Sequence, residues 1–488
     1  MKLFAKPALA LTLLLALGSL ASAQSWTTLP NLFPGVNGAG AMMQLRDGRV
    51  LVHDFGGTNW YVLTPDATGN YANGTWSSAG SMASFSYSPL YFGSQVLLDG
   101  QTVIVEGGEY NFFNASWTTQ GARLTYSGNT FTWVANAPPA GWTTIGDAQS
   151  VILADGRYMQ ADCCSKKSAF YTGPNSWTPS GNIVGPYNDE GTYTLLPSGK
   201  VLMTDAWATT CSATGSSELF DPSTNAWACG ATTPSQLWDS SGHELGPSIL
   251  MHNGKVLQVG ATNNTAVYNP ATNSWAAGPT PPSGLTGYDA PGALEPNGKV
   301  LLMLGPPGFT ASCQFMEYDP ATSSLANAPN GPLCPNNGTW YDYLMVLPNG
   351  QIMATGADFP VYIYTPASGV APGATPTILA GSTSLKAGSA NNLLYGKQLN
   401  GVSQNNSFGD DEQSDTNFPL VRLTCVSGAC TTGNVYWART HNESTHSIAP
   451  GTVMYTKFDI PASVPVGKYQ LNSVANGVLS NTIVVSVK

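Results

Sequence analysis

Charge is scarce in this chain. Only 9% of its 488 residues are Asp, Glu, Lys or Arg, with 18 basic against 28 acidic side chains and 5 histidines. So few cations, on a chain of net charge -10, exclude a surface built to neutralise nucleic-acid phosphates, and they disfavour anionic membranes equally. Beyond the first residues no apolar run is long enough to span a bilayer, so no membrane insertion is expected. The cysteines lack the spacing of a zinc ligand set. An adjacent Tyr-His pair occurs nowhere.

What is present begins with an export signal. Lys2 and Lys6 precede an apolar run from Ala8 to Leu17, and Ala21-Ser22-Ala23 forms an A-x-A cleavage site. Residues 1–23 are therefore expected to be removed, leaving a secreted protein, extracellular or periplasmic, of net charge -12. No cysteine follows the site, which argues against a lipid anchor. All 8 cysteines lie in the mature region, where an oxidising compartment makes disulfides the default. Proximity suggests Cys211–Cys229, Cys313–Cys334 and Cys425–Cys430; Cys163 and Cys164 either bridge each other or recruit other partners.

One phrase recurs seven times: Asp, Asn or Ser followed by Gly, in most copies a Lys, Arg or Gln, then an apolar strand. The copies begin at Asp47, Asp99, Asp155, Ser198, Asn253, Asn297 and Asn349, between 43 and 56 residues apart. A strand–turn–strand period near 50 predicts a kelch-type β-propeller of seven blades. In the fifth copy the Asn253-Gly254 turn is expected to supply the positive φ angles of a two-residue hairpin. A second turn phrase, Asp/Asn-Pro-Ala/Ser-Thr, stands at Asp221, Asn269 and Asp319, and Trp177, Trp227 and Trp275 mark fourth strands. The seventh repeat has no fourth strand of its own. Trp26-Thr-Thr-Leu29 is expected to supply it, closing the ring and removing exposed edges.

Near Pro376 the repeat ends. Short alternating runs such as Pro419–Thr424, Val435–Arg439 and Thr482–Val487 predict an immunoglobulin-like β-sandwich. The chain is thus read as all-β: a signal over 1–23, a propeller over 24–370 and a sandwich over 371–488.

Counting back eight residues from each turn phrase reaches the start of each innermost strand: Ala39, Tyr91, Asp147, Glu190, Leu245, Asp289 and Tyr341. Adjoining positions add Asp189, Glu244, Tyr288, Trp340 and Asp342. Acids on a charge-poor chain thus converge, with aromatics, on one end of the bore. Like charges gathered there raise one another's pKa values or attract a cation. Alternating carboxylates, Tyr and Trp suit sugars, through stacking and hydrogen bonds to hydroxyls; capping of turns inside the channel is the structural alternative. The acid run Gly409–Asp415 does not match the EF-hand loop. It is read as a solvated loop before a calcium site. His441 and His446, five apart, either join a metal site or line a loop.

Signal, kelch repeats and C-terminal sandwich together resemble the galactose oxidase family of secreted copper radical enzymes. Ser444-Thr-His-Ser-Ile448 is similar to the segment by which that family's last domain sends a copper-ligating histidine into the propeller, which would make His446 a ligand. Tyr395–Gln404, Gly409–Asp411 and Tyr436–His441 also resemble a domain of bacterial kelch proteins. The rest of the copper set departs from the pattern. By the turn offset, the family's cross-linking cysteine falls on Tyr91, its cross-linked tyrosine on Asp147, and its Tyr-His pair on Trp340-Tyr341. Three functions follow as expectations. One is binding or processing of an extracellular or cell-surface glycan without a copper radical. Another is a carbohydrate or alcohol oxidase with a rearranged copper site, and the third a non-catalytic adhesion or scaffold protein.

Overall fold

The computed structural model describes residues 24–207, 211–212, 215–334, 337–409 and 415–488. The signal segment and most of the acid run after Gly409 lie outside the described residues. The protein is all-β, with three single-turn 3-10 helices among the described residues. Seven antiparallel sheets follow one another along the described chain, each of four strands from inside out, the seventh taking its outermost strand from Ser25–Thr28 and the sixth gaining a fifth strand on its inner edge. Their innermost strands are Ala39–Gln44, Gly93–Val96, Ser150–Ile152, Thr194–Leu195, Leu245–Leu250, Pro291–Leu294 and Tyr343–Val346. This is a β-propeller arrangement.

Each recurrent phrase forms the turn between the first and second strands of a sheet, and the physical reason for its composition is uniform. The glycines Gly48, Gly100, Gly156, Gly199, Gly254, Gly298 and Gly350 all have φ between 74° and 96°, a conformation in which a Cβ is strained. The turns are not two-residue hairpins. In the first, Gly48 N–H donates to Leu45 O (3.0 Å) and Leu45 N–H to Arg49 O (2.8 Å). That is a type I turn closed by a left-handed glycine, which asks positive φ of one residue only. The residue before the glycine has another task. Its side-chain oxygen accepts from the backbone two residues on, as Asp47 does from Arg49 (3.3 Å) and Asn253 from Lys255 (3.0 Å). Asp, Asn and Ser share that capacity. Asp221, Asn269 and Asp319 make the same bond in the outer turns.

Tryptophans of the outer strands clasp neighbouring sheets. Trp76, Trp133, Trp177 and Trp275 each donate an indole N–H across to the preceding sheet or its connection. Trp26 does so to Pro329 O (2.7 Å) from Ser25–Thr28, which pairs antiparallel with Tyr362–Thr365 and completes the seventh sheet. Its ring packs on Phe315 and Tyr364, with centroids 4.7 and 5.1 Å apart. The apolar cores accordingly lie between adjacent sheets, as where Val105 and Leu124 of the second meet Val52 and Val62 of the first.

Strands from Thr377–Gly381 to Ile483–Val487 form a separate curled sheet of nine strands around its own core of Leu394, Val421, Phe458 and Leu471. It rests on the turn face of the first three propeller sheets. Asn442 N–H donates to Leu98 O (2.7 Å) and His446 N–H to Ala154 O (2.9 Å). A Cβ on Gly48 would meet the Trp437 ring at 2.5 Å. At the centre of this contact Arg46 grips Glu443 through both carboxylate oxygens (2.8 and 2.9 Å), both side chains fully buried.

One stretch from beyond residue 370 belongs spatially to the propeller. Asn406–Phe408 pairs with the innermost strand of the sixth sheet. The residues around it bond to several others: Gln404 accepts from Leu195 N–H, Ser407 from Ser248 N–H, and Asn406 from Val346 N–H. This stretch fills the bore. Four disulfides join Cys163–Cys164, Cys211–Cys229, Cys313–Cys334 and Cys425–Cys430, so the adjacent pair bridges itself.

Candidate functional site

Where the innermost strands begin, opposite the turn face, the bore opens into a cup of about 520 Å³. Eight of the residues singled out by the offset line it: Tyr91, Asp147, Asp189, Glu190, Glu244, Asp289, Trp340 and Tyr341. Two of those singled out stand behind the wall. Tyr288 is buried, its ring edge-on to Phe309 (5.1 Å). Asp342 is fully buried and accepts from Asn337 Nδ2 (3.1 Å), turned away beneath Gly356.

The floor is acidic. Asp147, Asp189 and Glu190 bring carboxylate oxygens within 4.8 Å of one another. Asp147 is 7% exposed, and its Oδ1 has no hydrogen-bond partner. The loops that carry these groups are tightly constrained. Asp189 N–H donates to Cys163 O (2.8 Å), just where the Cys163–Cys164 bridge turns the chain. Gly146, at φ 65°, packs so close to that bridge that a Cβ would lie 2.4 Å from the Cys163 sulfur. Tyr91, Glu190 and Asp289 hold φ of 52°, 56° and 42°, a region costing non-glycine residues about 1–3 kcal/mol and concentrated at functional sites. Gly409, from the stretch that fills the bore, packs against Asp289 from below, and Phe408 lies parallel to Tyr91 (6.3 Å).

Burial and mutual repulsion dominate the electrostatics. Burial pushes Asp289 up to about 8, with Glu109 adding to it, and Glu244 up to about 9, with Asp289 adding to it. Glu109 rises to about 7, mainly through burial. Asp147 is held well above the ordinary carboxylate range by burial, then by Asp189 and Glu109. The cup therefore holds protons at neutral pH that isolated carboxyls would have lost.

Above the floor stands an arc of aromatic rings in successive contact: Phe113 on Phe55 (6.5 Å), Phe55 on Tyr341 (5.7 Å), Tyr341 on Trp340 (5.2 Å), Trp340 on Phe309 (5.2 Å). Phe113, Phe309 and Tyr341 are exposed at its rim. Glu109, Tyr110, Phe113 and Trp117 come from an extra hairpin, Tyr110–Asn111 with Asn114–Ala115, inserted in the second sheet. The offset could not reach them, because they lie between its second and third strands; the signal available was the aromatic run Tyr110–Trp117 itself.

No family model and no curated protein matches the sequence. Solved structures do resemble the fold. A fungal alcohol oxidase of the AA5 family, in complex with copper, aligns with a TM-score of 0.52 over 96% of this chain and all of that one, at 15% identity. A streptogramin B lyase aligns over 71% of this chain and 98% of its own, at 11% identity and a TM-score of 0.48. At such identities the likeness shows fold alone: a galactose oxidase-like β-propeller.

The copper of that oxidase does not fit the residues present here. Copper(II) takes nitrogen-rich ligation, and no histidine is among the residues lining the cup. His446 lies at the opposite end of the third sheet's innermost strand. It bonds to Ala154 there, seven residues and roughly 20 Å along the strand from Asp147. Its ring is fully engaged, Nε2 with Asn417 (3.0 Å) and Nδ1 with Glu443 (3.3 Å). His441 pairs with Asp459 (3.1 Å) within the curled sheet.

The raised carboxyls predict how stability varies with pH. A carboxyl whose folded pKa exceeds its unfolded value contributes stability that is complete below the unfolded pKa and lost as pH rises through the folded one. For Glu109, Asp289 and Glu244, joined by Asp205 and Asp415 at about 7 and Glu295 at about 8, that loss begins near the unfolded carboxyl pKa of about 4 and continues up to folded values between about 7 and 9, so it is still in progress above pH 6.5. His53 and His252, lowered to about 4 by burial, work oppositely, but only below pH 6.5. The melting temperature in chelator-treated, metal-free buffer is expected to fall by several degrees from pH 6.5 to 9. A flat or rising profile in scanning fluorimetry would contradict this charge distribution.

Proposed function

We propose that this chain is a secreted, galactose oxidase-like protein made of a seven-bladed kelch-type propeller (24–370) and an immunoglobulin-like sandwich (371–488). In this reading its acidic mouth binds or processes carbohydrate of an extracellular or cell-surface glycan without a copper radical centre. The observation that carries it is the arc from Phe113 to Phe309 standing over a carboxylate floor. Aromatic faces stack on the apolar faces of sugar rings, while carboxylates accept from hydroxyls. The cup's volume falls in the range of small-ligand sites. Net negative charge on the floor disfavours acidic polysaccharides and leaves neutral or amino sugars. The likeness to a copper alcohol oxidase supports the second reading, an oxidase; the absence of nitrogen donors from the lining weighs against it.

A glycan array followed by titration of the best binder tests the proposal. Trp340→Ala is expected to weaken binding about tenfold or more, the loss of one stacked aromatic face. Absence of binding to any neutral or amino glycan, together with no release of reducing sugar, would refute it. Peroxide production from alcohols by copper-loaded protein would instead favour the oxidase.

A further inference from the structure

The floor of the cup gathers carboxylate oxygens closely enough to share a cation. Oxygens of Asp147, Asp189 and Glu190 all lie within 4.8 Å of one another. Carboxylate oxygens grouped in this way suit a hard divalent cation, and calcium, which accepts irregular oxygen shells, fits them more readily than magnesium, which demands near-ideal octahedral geometry. A second observation points the same way. Asp147, more than nine-tenths buried, lines the cup with Oδ1 unpartnered, a carboxylate oxygen removed from water and given nothing in return. Leaving such an oxygen unsatisfied costs about 1–3 kcal/mol, more for a charged group.

The surroundings supply no internal substitute. No Lys or Arg is among the residues lining the cup, and the neighbouring Glu244 and Asp289, which keep their protons at neutral pH, bring no positive charge to Asp147. Nor does the chemistry suit a soft metal. The sulfurs of Cys163 and Cys164 also approach Asp189, but they are bonded to each other and offer no thiolate. The same bridge, through Cys163 O and the Asp189 amide, fixes one ligand-bearing loop, and close packing at Gly146 fixes the one before Asp147.

We propose that Asp147, Asp189 and Glu190 form a calcium site at the base of the propeller mouth, its remaining coordination positions open to the cup. The open positions would be filled by water or by ligand hydroxyls. Binding of the ion itself requires no sugar and stands whether or not the glycan reading does.

Calorimetric titration of the EDTA-treated mature protein with calcium chloride alone tests this. One calcium per chain is expected, with a rise in melting temperature, weaker binding of magnesium, and no preference for copper. Asp147→Asn and Glu190→Gln should each weaken calcium at least tenfold, whereas Asp99→Asn, in an exposed turn, should not. Terbium luminescence sensitised by the nearby rings provides a second readout, lost in the same variants. No saturable calcium binding, a preference for copper, or unchanged affinity in both floor variants with native near-UV circular dichroism would overturn the proposal.

Discussion

Glu443→Gln is expected to lower stability by about 3–5 kcal/mol, the usual cost of removing one member of a fully buried ion pair. The reason lies in what is left behind. Arg46 keeps its charge, without exposure to water and without the two oxygens that now hold it at 2.8 and 2.9 Å. Phe418, under the guanidinium at 4.4 Å, cannot replace a carboxylate. Burial alone would raise the Glu443 pKa, but the Arg46 charge and the bond from His446 outweigh it and hold the group at about 2. Because Arg46 sits in the first propeller turn and Glu443 beyond the curled sheet's strand Val435–His441, the lesion falls on the contact between the two parts. A single calorimetric transition in the parent should therefore broaden or split in the variant. Arg46→Met with Glu443→Gln should be less damaging than Glu443→Gln alone, since no stranded charge remains. A singly substituted protein that melts like the parent would show that the pair contributes nothing.

Removal of residues 24–29 should have an effect of similar size. The seventh sheet would lose the strand Ser25–Thr28 and expose the edge of Tyr362–Thr365. It would also lose the indole bond to Pro329 and the packing on Phe315 and Tyr364. Burial of large aromatics is typically worth about 3–5 kcal/mol when truncated to alanine, less where, as for Trp26, part of the ring faces solvent. The shortened chain is expected to aggregate on size-exclusion chromatography, because an unpaired edge invites pairing with another copy. Trp26→Ala should fold with a melting temperature lower by several degrees. A shortened chain that remains monomeric and equally stable would mean that closure rests elsewhere.

What could be read from residue order alone was whatever repeats locally. The glycine after each Asp, Asn or Ser marks the same turn in all seven sheets, so counting from it reaches eight lining residues of the cup, among them Asp147, Glu190 and Asp289. The turn type itself was misjudged, since the Asp or Asn serves as a side-chain acceptor and not as a second residue of positive φ. Non-local features left no such trace. Asn406-Ser-Phe408 has no strand-like alternation, and its place in the bore depends on inner strands more than a hundred residues upstream. The hairpin carrying Glu109 and Phe113 interrupts a repeat instead of repeating. Arg46 and Glu443, nearly 400 residues apart in sequence, each look like an ordinary surface charge until the fold joins them.

The stretch ending at Gly409 decides what kind of molecule can reach the carboxylates. Since it packs against Asp289 and Tyr91 from the turn side, the described residues close the cup on that side. For a glycan of the kind proposed above, a chain terminus or a pendant branch would therefore reach the carboxylates more readily than the middle of a chain.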